Sequence, residues 1–210
     1  MACDRQSNRA AKRALRRDLR AARRAVGGRA AQAAAEAVAR RVTRLPAWRR
    51  ARRIGLFLPG DGEIDTRPLI REARAAGKQV CLPVLIPPSG QRGRRAVLTA
   101  GRLRFRLTMP GTPVRRGALW VLEPVRQAAP DVALNRLDLL LLPLVGFDAE
   151  GRRLGMGGGF YDRTLAGRGR FRRPRLIGIA HACQQVARLP EDPWDQRLEA
   201  CVTDTQTWTW

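Results

Sequence analysis

The chain is poor in several residue types at once, and each shortage excludes something. Of 41 basic residues among 210, only Lys12 and Lys78 are lysine; the other 39 are arginine. There is one tyrosine, Tyr161, and one histidine, His181, and aromatic residues total 5%. The four cysteines, Cys3, Cys81, Cys183 and Cys201, are widely spaced and form no CxxC pair. With a single histidine to add, they complete no familiar zinc ligand set. Such scattered cysteines behave as small hydrophobes and suit a reducing cytoplasm. No apolar run approaches the ~18 residues of a membrane-spanning helix. The basic N-terminus has no apolar stretch behind it, which argues against a secretory signal. Asp4 and Asp18 argue against a transit peptide.

What is present is a large positive charge, formally +23. A nucleic-acid-binding protein is one reading of it. The other is compositional: arginine in place of lysine, with abundant Ala, Gly and Pro, fits a GC-rich coding sequence. The charge is also uneven. Through Arg53 there are 17 basic and 3 acidic residues, and the remaining 157 residues carry 24 and 15. Aromatic residues that could stack on bases are sparse in the basic region. A hydrophobic content of 44% argues against wholesale disorder, and the length suits one ordinary domain with a real core. Nothing fixes an oligomeric state; a monomer is the simplest reading.

Periodicity organises the chain into N-terminal helices over residues 1–46 and an α/β core over 53–204. Leu15, Leu19, Ala22 and Val26 draw one apolar helical stripe, broken at Gly27-Gly28. A second, Ala-rich helix runs from Arg29 to Arg44 and stops before Pro46. Strands are expected over Ile54–Pro59, Gln79–Leu85, Leu137–Val145, Arg175–Ala180 and Ala200–Asp204. A helix with Asp or Thr at its start, an early Pro and a closing Gly spans Asp65–Gly77. The stretch Pro87–Arg116 reads as loops with a strand near Leu103–Leu107. Continuous apolar strands alternating with helices imply a three-layer α/β/α architecture, Rossmann-like, with a mostly parallel open sheet and the N-terminal helices packed on it.

Four stretches could carry chemistry. In Leu140–Leu165 a buried strand delivers the chain to a glycine-dense turn, and Gly157–Gly167 continues as a helix. Glycines let backbone N–H groups close on an anion, and ligands of open α/β sheets bind at that edge. The spacing is neither a Walker A loop nor a dinucleotide fingerprint, and a turn required only for tight packing is the bland alternative. Asp162 is a natural Mg²⁺ ligand beside phosphates, or simply an acid complementing a helix dipole. In Leu58–Thr66, Glu63 could hold a ligand's N–H groups, or belong to an ordinary acidic turn. In Leu189–Asp204, Asp192 and Asp195 come within reach of a shared cation if the loop folds back. Lys12 and Arg16, four residues apart on one helical face, could clamp a polyanion or merely be solvated.

In this order, these stretches resemble the 5-formyltetrahydrofolate cyclo-ligase family. Its central signature stands here as Phe147-Asp148, Gly151, Arg153-Leu154-Gly155, Gly157, Gly159 and Tyr161-Asp162. Around it lie Lys12, Leu15 and Arg16, then Glu63, Ile64 and Thr66, Glu123-Pro124, Gly178–Ala180 with Gln184, and Asp195. Phe160 stands where the family usually has tyrosine, and Trp194 where histidine is common. The resemblance implies an ATP- and Mg²⁺-dependent ring closure of 5-formyltetrahydrofolate to 5,10-methenyltetrahydrofolate through phosphorylation of the formyl oxygen, releasing ADP and phosphate. By position it implies that Lys12 and Arg16 grip the ATP phosphates. Arg153, Leu154, Gly155, Met156, Gly157, Gly158, Gly159, Phe160 and Tyr161 would form the nucleotide loop. Leu58, Glu63 and Met156–Phe160 would contact the folate. Asp162 and Asp195 would hold Mg²⁺, with Arg153 and Asp162 catalytic. A basic nucleic-acid-binding protein, or an ATP-dependent enzyme of the same fold acting on another small molecule, is the alternative.

Overall fold

The computed structural model describes every residue except Met1, 118–120, 126–129, Gly167 and 169–172; for residues 2–6 it gives the backbone alone. The helices are α1 (Ala2–Ala25), α2 (Gly28–Arg44), α3 (Pro46–Arg50), α4 (Arg67–Ala75), α5 (Gly93–Ala100) and α6 (Phe160–Leu165). The strands are β1 (Arg53–Gly55), β2 (Gln79–Ile86), β3 (Arg102–Thr108), β4 (Val114–Arg116), β5 (Leu122–Pro124) and β6 (Asp131–Val132). They continue with β7 (Leu139–Pro143), β8 (Gly146–Phe147), β9 (Arg153–Leu154), β10 (Arg175–Ile179), β11 (Ala200–Val202) and β12 (Thr207–Thr209).

An eight-stranded sheet runs in the order β12-β11-β10-β7-β1-β2-β3-β6. Its five middle strands, from β11 to β2, are parallel, while β12, β3 and β6 join in antiparallel pairs at the edges. The run Leu139–Leu142 is buried on both faces, as a central parallel strand must be. Its residues divide by parity. Leu139 and Leu141 pack with Val38, Val42, Leu69 and Ile177 under α2 and α4. Leu140 and Leu142 pack with Phe105, Phe147 and Leu165 under α6. Fully buried side chains of this size contribute roughly 1.5–3 kcal/mol each.

The sheet also fixes where a ligand can sit. From β1 the chain moves one way, to β2 through α4; from β7 it moves the other way, to β10 and β11. The carboxyl ends of β1 and β7 therefore lie side by side at a topological switch point, where diverging connections leave a crevice.

The two N-terminal helices pack differently. Helix α2 lies on the sheet face through Ala34, Ala35, Val38, Ala39 and Val42. Helix α1 crosses the carboxyl edge instead, with Leu15 and Leu19 packed against Val145, Leu154 and Leu189. Its expected apolar stripe is only half apolar: the buried face continues as Lys12 and Arg23, whereas Ala22 and Val26 are half-exposed.

Two expectations need correction. The Pro87–Arg116 stretch contains α5, a helix that periodicity could not reveal because Val97 is its one buried residue. The glycine-led helix starts at Phe160, not Gly157, and is six residues long. Its expected end, Gly167, lies outside the described residues.

Candidate active site

A cavity of about 730 Å³ opens at the switch point. Its floor is Phe57 and Leu58 after β1, with Pro143 ending β7 and Leu144 just beyond it. The hairpin β8–β9 then leads into the glycine loop, Gly155–Gly159, which forms one wall. All the site residues read from the sequence line this cavity: Lys12, Arg16, Leu58, Glu63, Arg153, Leu154, Gly155, Met156, Gly157, Gly158, Gly159, Phe160, Tyr161, Asp162 and Asp195. Further lining comes from Pro83, Leu85, Val121 and Glu123, and from Leu98 and Leu103 in the stretch the family pattern left unplaced. Leu98 sits on α5, which the sequence pattern did not reveal, and Leu103 on β3, the strand expected near Leu103–Leu107.

Two of the loop's glycines resist a side chain, Gly158 by close approach and Gly157 by its backbone conformation. An ideal Cβ at Gly158 would stand 2.4 Å from the Phe160 ring. Gly157 has φ +95°, and a Cβ there would touch the Arg16 guanidinium at 3.4 Å. Arg16 in turn donates Nε–H to the Gly155 carbonyl at 2.8 Å. The first helix thus holds the loop by a cation, with no acid paired to Arg16 among the described residues. With α6 so short, the cradle rests on this loop and its arginines rather than on a long helix dipole.

Arg153 is buried and its guanidinium bonds Asp162 Oδ1, while its Nε has no hydrogen-bond partner among the described residues. The same guanidinium stands 5.8 Å over the Tyr161 ring, and Arg163 stands 5.1 Å over Phe160. Lys12 Nζ binds Asp192 at 2.7 Å and Asp195 at 2.6 Å. The shared cation that these two acids need is therefore a lysine from α1. Burial alone lowers the Lys12 ammonium, but the hydrogen bonds and charges of the two aspartates outweigh it and raise its pKa. Asn8 adds bonds to the Glu191 carbonyl and Asp192.

Glu63 sits on the turn after β1, nearly enclosed. Burial pushes its carboxyl up to about 7 against the pull of Arg23 and the Gly60 N–H, and Asp61 pushes it further. A carboxyl poised near neutrality can accept N–H donors as a carboxylate or share a proton. The Tyr161 hydroxyl is raised mainly by burial, with Glu63 adding to it and Arg153 opposing.

Half of the signature is structural. Phe147 is buried edge-on against Trp208, with centroids 4.9 Å apart. Asp148 accepts bonds from Glu150 N, Arg152 N, Arg152 Nε and Leu189 N at 2.6–3.1 Å. Burial would raise its carboxyl, but these donors hold it below the ordinary carboxylate range. This half keeps the β8–β9 turn and the Leu189 loop in place.

For a metal, the donor set is small. Among the described residues no group of three His, Cys, Asp or Glu could ligate one unaided. Asp162 Oδ2 and Asp195 Oδ1 nevertheless accept no hydrogen bond among the described residues. Mg²⁺ commonly takes one or two carboxylates together with phosphate and water oxygens, and this pair fits that demand.

A model of the 5-formyltetrahydrofolate cyclo-ligase family matches residues 8–204. The chain is similar to the 5-formyltetrahydrofolate cyclo-ligase of Escherichia coli K12, at 42% identity over 160 residues, 76% of this chain and 82% of that one. It is 41% identical over 152 residues to that of Haemophilus influenzae, covering 71% and 74% of the two chains. The fold superposes on the 5,10-methenyltetrahydrofolate synthetase of Aquifex aeolicus with a TM-score of 0.76 at 27% identity, covering 94% of this chain and 92% of that one. The chain belongs to the 5-formyltetrahydrofolate cyclo-ligase family, whose members are enzymes of the ligase class.

Proposed function

We propose that this protein converts 5-formyltetrahydrofolate to 5,10-methenyltetrahydrofolate, consuming ATP in the presence of Mg²⁺. The observation that carries the reading is the single cavity at the switch point, which joins a cationic side to an apolar side across the glycine loop. ATP supplies the phosphoryl group that turns the poorly reactive formyl oxygen into a leaving group. Mg²⁺, held by Asp162 and Asp195, would neutralise phosphate charge. The protein's share is positioning and electrostatic stabilisation.

In this reading the loop N–H groups, Arg16 and Lys12 receive the phosphates. The loop is already drawn toward α1 by the Arg16–Gly155 bond, so little reorganisation is needed on binding. Arg153, buried and with Nε unbonded among the described residues, faces developing charge and holds Asp162 in place. Leu58, Phe160, Leu98 and Leu103 enclose the folate rings and exclude water, and Glu63 accepts the pterin N–H groups. The N-terminal helices and the α/β core act as one unit, because Lys12 and Arg16 complete the cavity. The setting we propose is the cytoplasm, where reduced folates and ATP coexist; no helix among the described residues is long and apolar enough to cross a membrane.

The test is an absorbance assay for the methenyl product, with ATP and Mg²⁺ each omitted in turn. Product should appear only in the complete mixture, and none there overturns the reading. Asp162→Asn should lower turnover by roughly 10²–10³-fold while the protein melts as wild type within a few degrees. Near-normal turnover of that variant across a Mg²⁺ titration removes Asp162 from the metal site.

A further inference from the structure

Two charged residues among the described ones are wholly enclosed, Asp148 inside the family signature and Arg23 outside it. Arg23, on α1, has no solvent exposure at all. Four hydrogen bonds from its guanidinium reach three parts of the site's scaffold. Nε donates to the Asp61 carbonyl at 2.8 Å, and Nη2 to Asp61 Oδ2 at 2.6 Å. Nη1 donates to the Leu144 carbonyl, just beyond β7, at 3.0 Å, and stands 3.7 Å from Glu63 Oε1. Nη2 also meets the Met156 sulfur in the glycine loop at 3.7 Å. One guanidinium thus bridges the turn after β1, the end of β7 and the glycine loop, the three segments that converge at the switch point.

The turn it holds is conformationally costly. Asp61 adopts φ +53°, costly for a residue with a side chain. Gly62, at φ +75°, presses onto the α1 backbone so closely that a Cβ would lie 3.1–3.2 Å from Arg23 and Arg24 main-chain atoms. Glu63 follows directly, with Oε2 accepting the Gly60 N–H at 3.1 Å. Arg23 is the cation nearest the Glu63 carboxyl, and an enclosed carboxylate without a cation reverts to its neutral form.

We propose that Arg23 is a positioning residue, which keeps Glu63 a carboxylate aimed by the Gly60–Glu63 turn so that it can accept the substrate's N–H donors. The folate clause rests on the function proposed above; the link between Arg23 and Glu63 does not. The other charged or titratable groups around Glu63 are few. Asp61 shares its turn and raises it, and Tyr161 approaches from α6 with Arg153 beside it. The buried His181, against the Gly62 backbone, also feels Arg23. None of these supplies a cation as near to Glu63 as Arg23 does.

The direct measurement is the titration of Glu63 in protein carrying ¹³C-labelled glutamate, its signal assigned by its absence in Glu63→Gln. In Arg23→Met the midpoint should rise by about one pH unit or more, and in Arg23→Lys, which keeps the charge, by much less. The KM for 5-formyltetrahydrofolate at pH 7.5 should rise roughly tenfold in Arg23→Met with a smaller change in kcat. Its pH dependence should move by the same interval as the carboxyl midpoint. In a Glu63→Gln background, Arg23→Met should shift the pH profile no further. Should Arg23→Met fail to fold, Arg23→Gln takes its place against Arg23→Lys. Equal Glu63 midpoints in wild type and the neutral variant overturn the proposal, as does a KM shift that persists without Glu63. The titration needs no substrate, so a wild-type protein that forms no methenyl product overturns the functional reading and the folate clause while this link is judged separately.

Discussion

Helix α1 meets acids at both ends, and the two meetings differ in what a ligand could replace. Toward its N-terminus, Lys12 holds Asp192 and Asp195, whose side chains retain 20% and 18% of their exposure, on the wall of an open cavity. Toward its C-terminus, Arg20, Arg23 and Arg24 converge on Asp61, and Arg23 is wholly enclosed. At the first end the acids occupy a lysine that phosphates would also seek, so partners can be exchanged on binding. At the second end Asp61, at 22% exposure, lies off the cavity wall, and the enclosed Arg23 spends its other donors on the Asp61 and Leu144 carbonyls and the Met156 sulfur. One helix therefore carries a clamp on the cavity wall and a clamp on the scaffold, built from the same ion-pair chemistry and separated by their place relative to the cavity.

Lys12→Met tests the first end most strongly. The KM for ATP should rise roughly 30-fold, about 2 kcal/mol, while stability falls by less than about 1.5 kcal/mol. A large loss of stability with an unchanged KM for ATP would make both ends scaffolding and erase the contrast. Asp61→Asn tests the second end. Asparagine tolerates the left-handed conformation of Asp61, so the substitution removes charge without forcing the turn. Denaturation should show a loss of about 2 kcal/mol, because three arginines lose their carboxylate and one of them is buried. The KM for ATP should stay within about twofold of wild type, and a rise as large as that of Lys12→Met would merge the two clamps.

The sequence made the first clamp more legible than the second. Lys12, Arg16 and the Arg153–Asp162 run fall in one family pattern, and that pattern led to residues that share a cavity. The sheet was legible because central parallel strands are continuous apolar runs such as Leu139–Leu142, and the switch point follows from their order. Arg23 could not be singled out, since it is one of 39 arginines and lies outside the signature. The one available sign was position: Lys12, Leu19 and Arg23 continue a single helical face, which turns cationic where an apolar residue is expected. Helix α5, which brings Leu98 to the cavity, was hidden for the converse reason, too few buried apolar residues to draw a stripe, whereas the strand carrying Leu103 was expected. The partition of the signature into a structural Asp148 and a cavity-lining Asp162 needed the hydrogen bonds themselves.

Glu63 sharpens the comparison through pH. Its folded carboxyl lies near 7, above the ordinary value near 4.5, so the folded state binds the proton more tightly than the unfolded state. Its contribution to stability is thus full below the unfolded value and is lost as pH rises from there through about 7. Glu63→Gln removes that loss. The shift sets an upper bound of about 3 kcal/mol, and about 1 kcal/mol is expected once the side chain's residual solvent contact is allowed for. Melting temperatures of variant and wild type should agree at pH 4.5 and diverge above pH 7, with the variant higher while its folate KM worsens. A constant gap at all pH values would mean that the carboxyl is not held in a strained ionisation, and that Arg23 has nothing to counter.

The smallest expected effect concerns the arginines that belong to neither clamp. Arg17, Arg29 and Arg40 are exposed, and Arg17 pairs only with its neighbour Asp18, at side-chain exposures of 77% and 62%. Surface pairs of this kind contribute little, since solvent screens them and two long side chains must be ordered to form them. Replacing all three with glutamine should change stability by less than about 0.5 kcal/mol and leave kcat unaltered. A loss of charge at this distance can still weaken the approach of anionic ATP and folate, so kcat/KM should fall slightly at low salt and recover its wild-type value above about 0.2 M. A kcat loss that salt does not abolish would show that the +23 charge serves catalysis directly, and the distinction between two specific clamps and a neutral arginine background would fail.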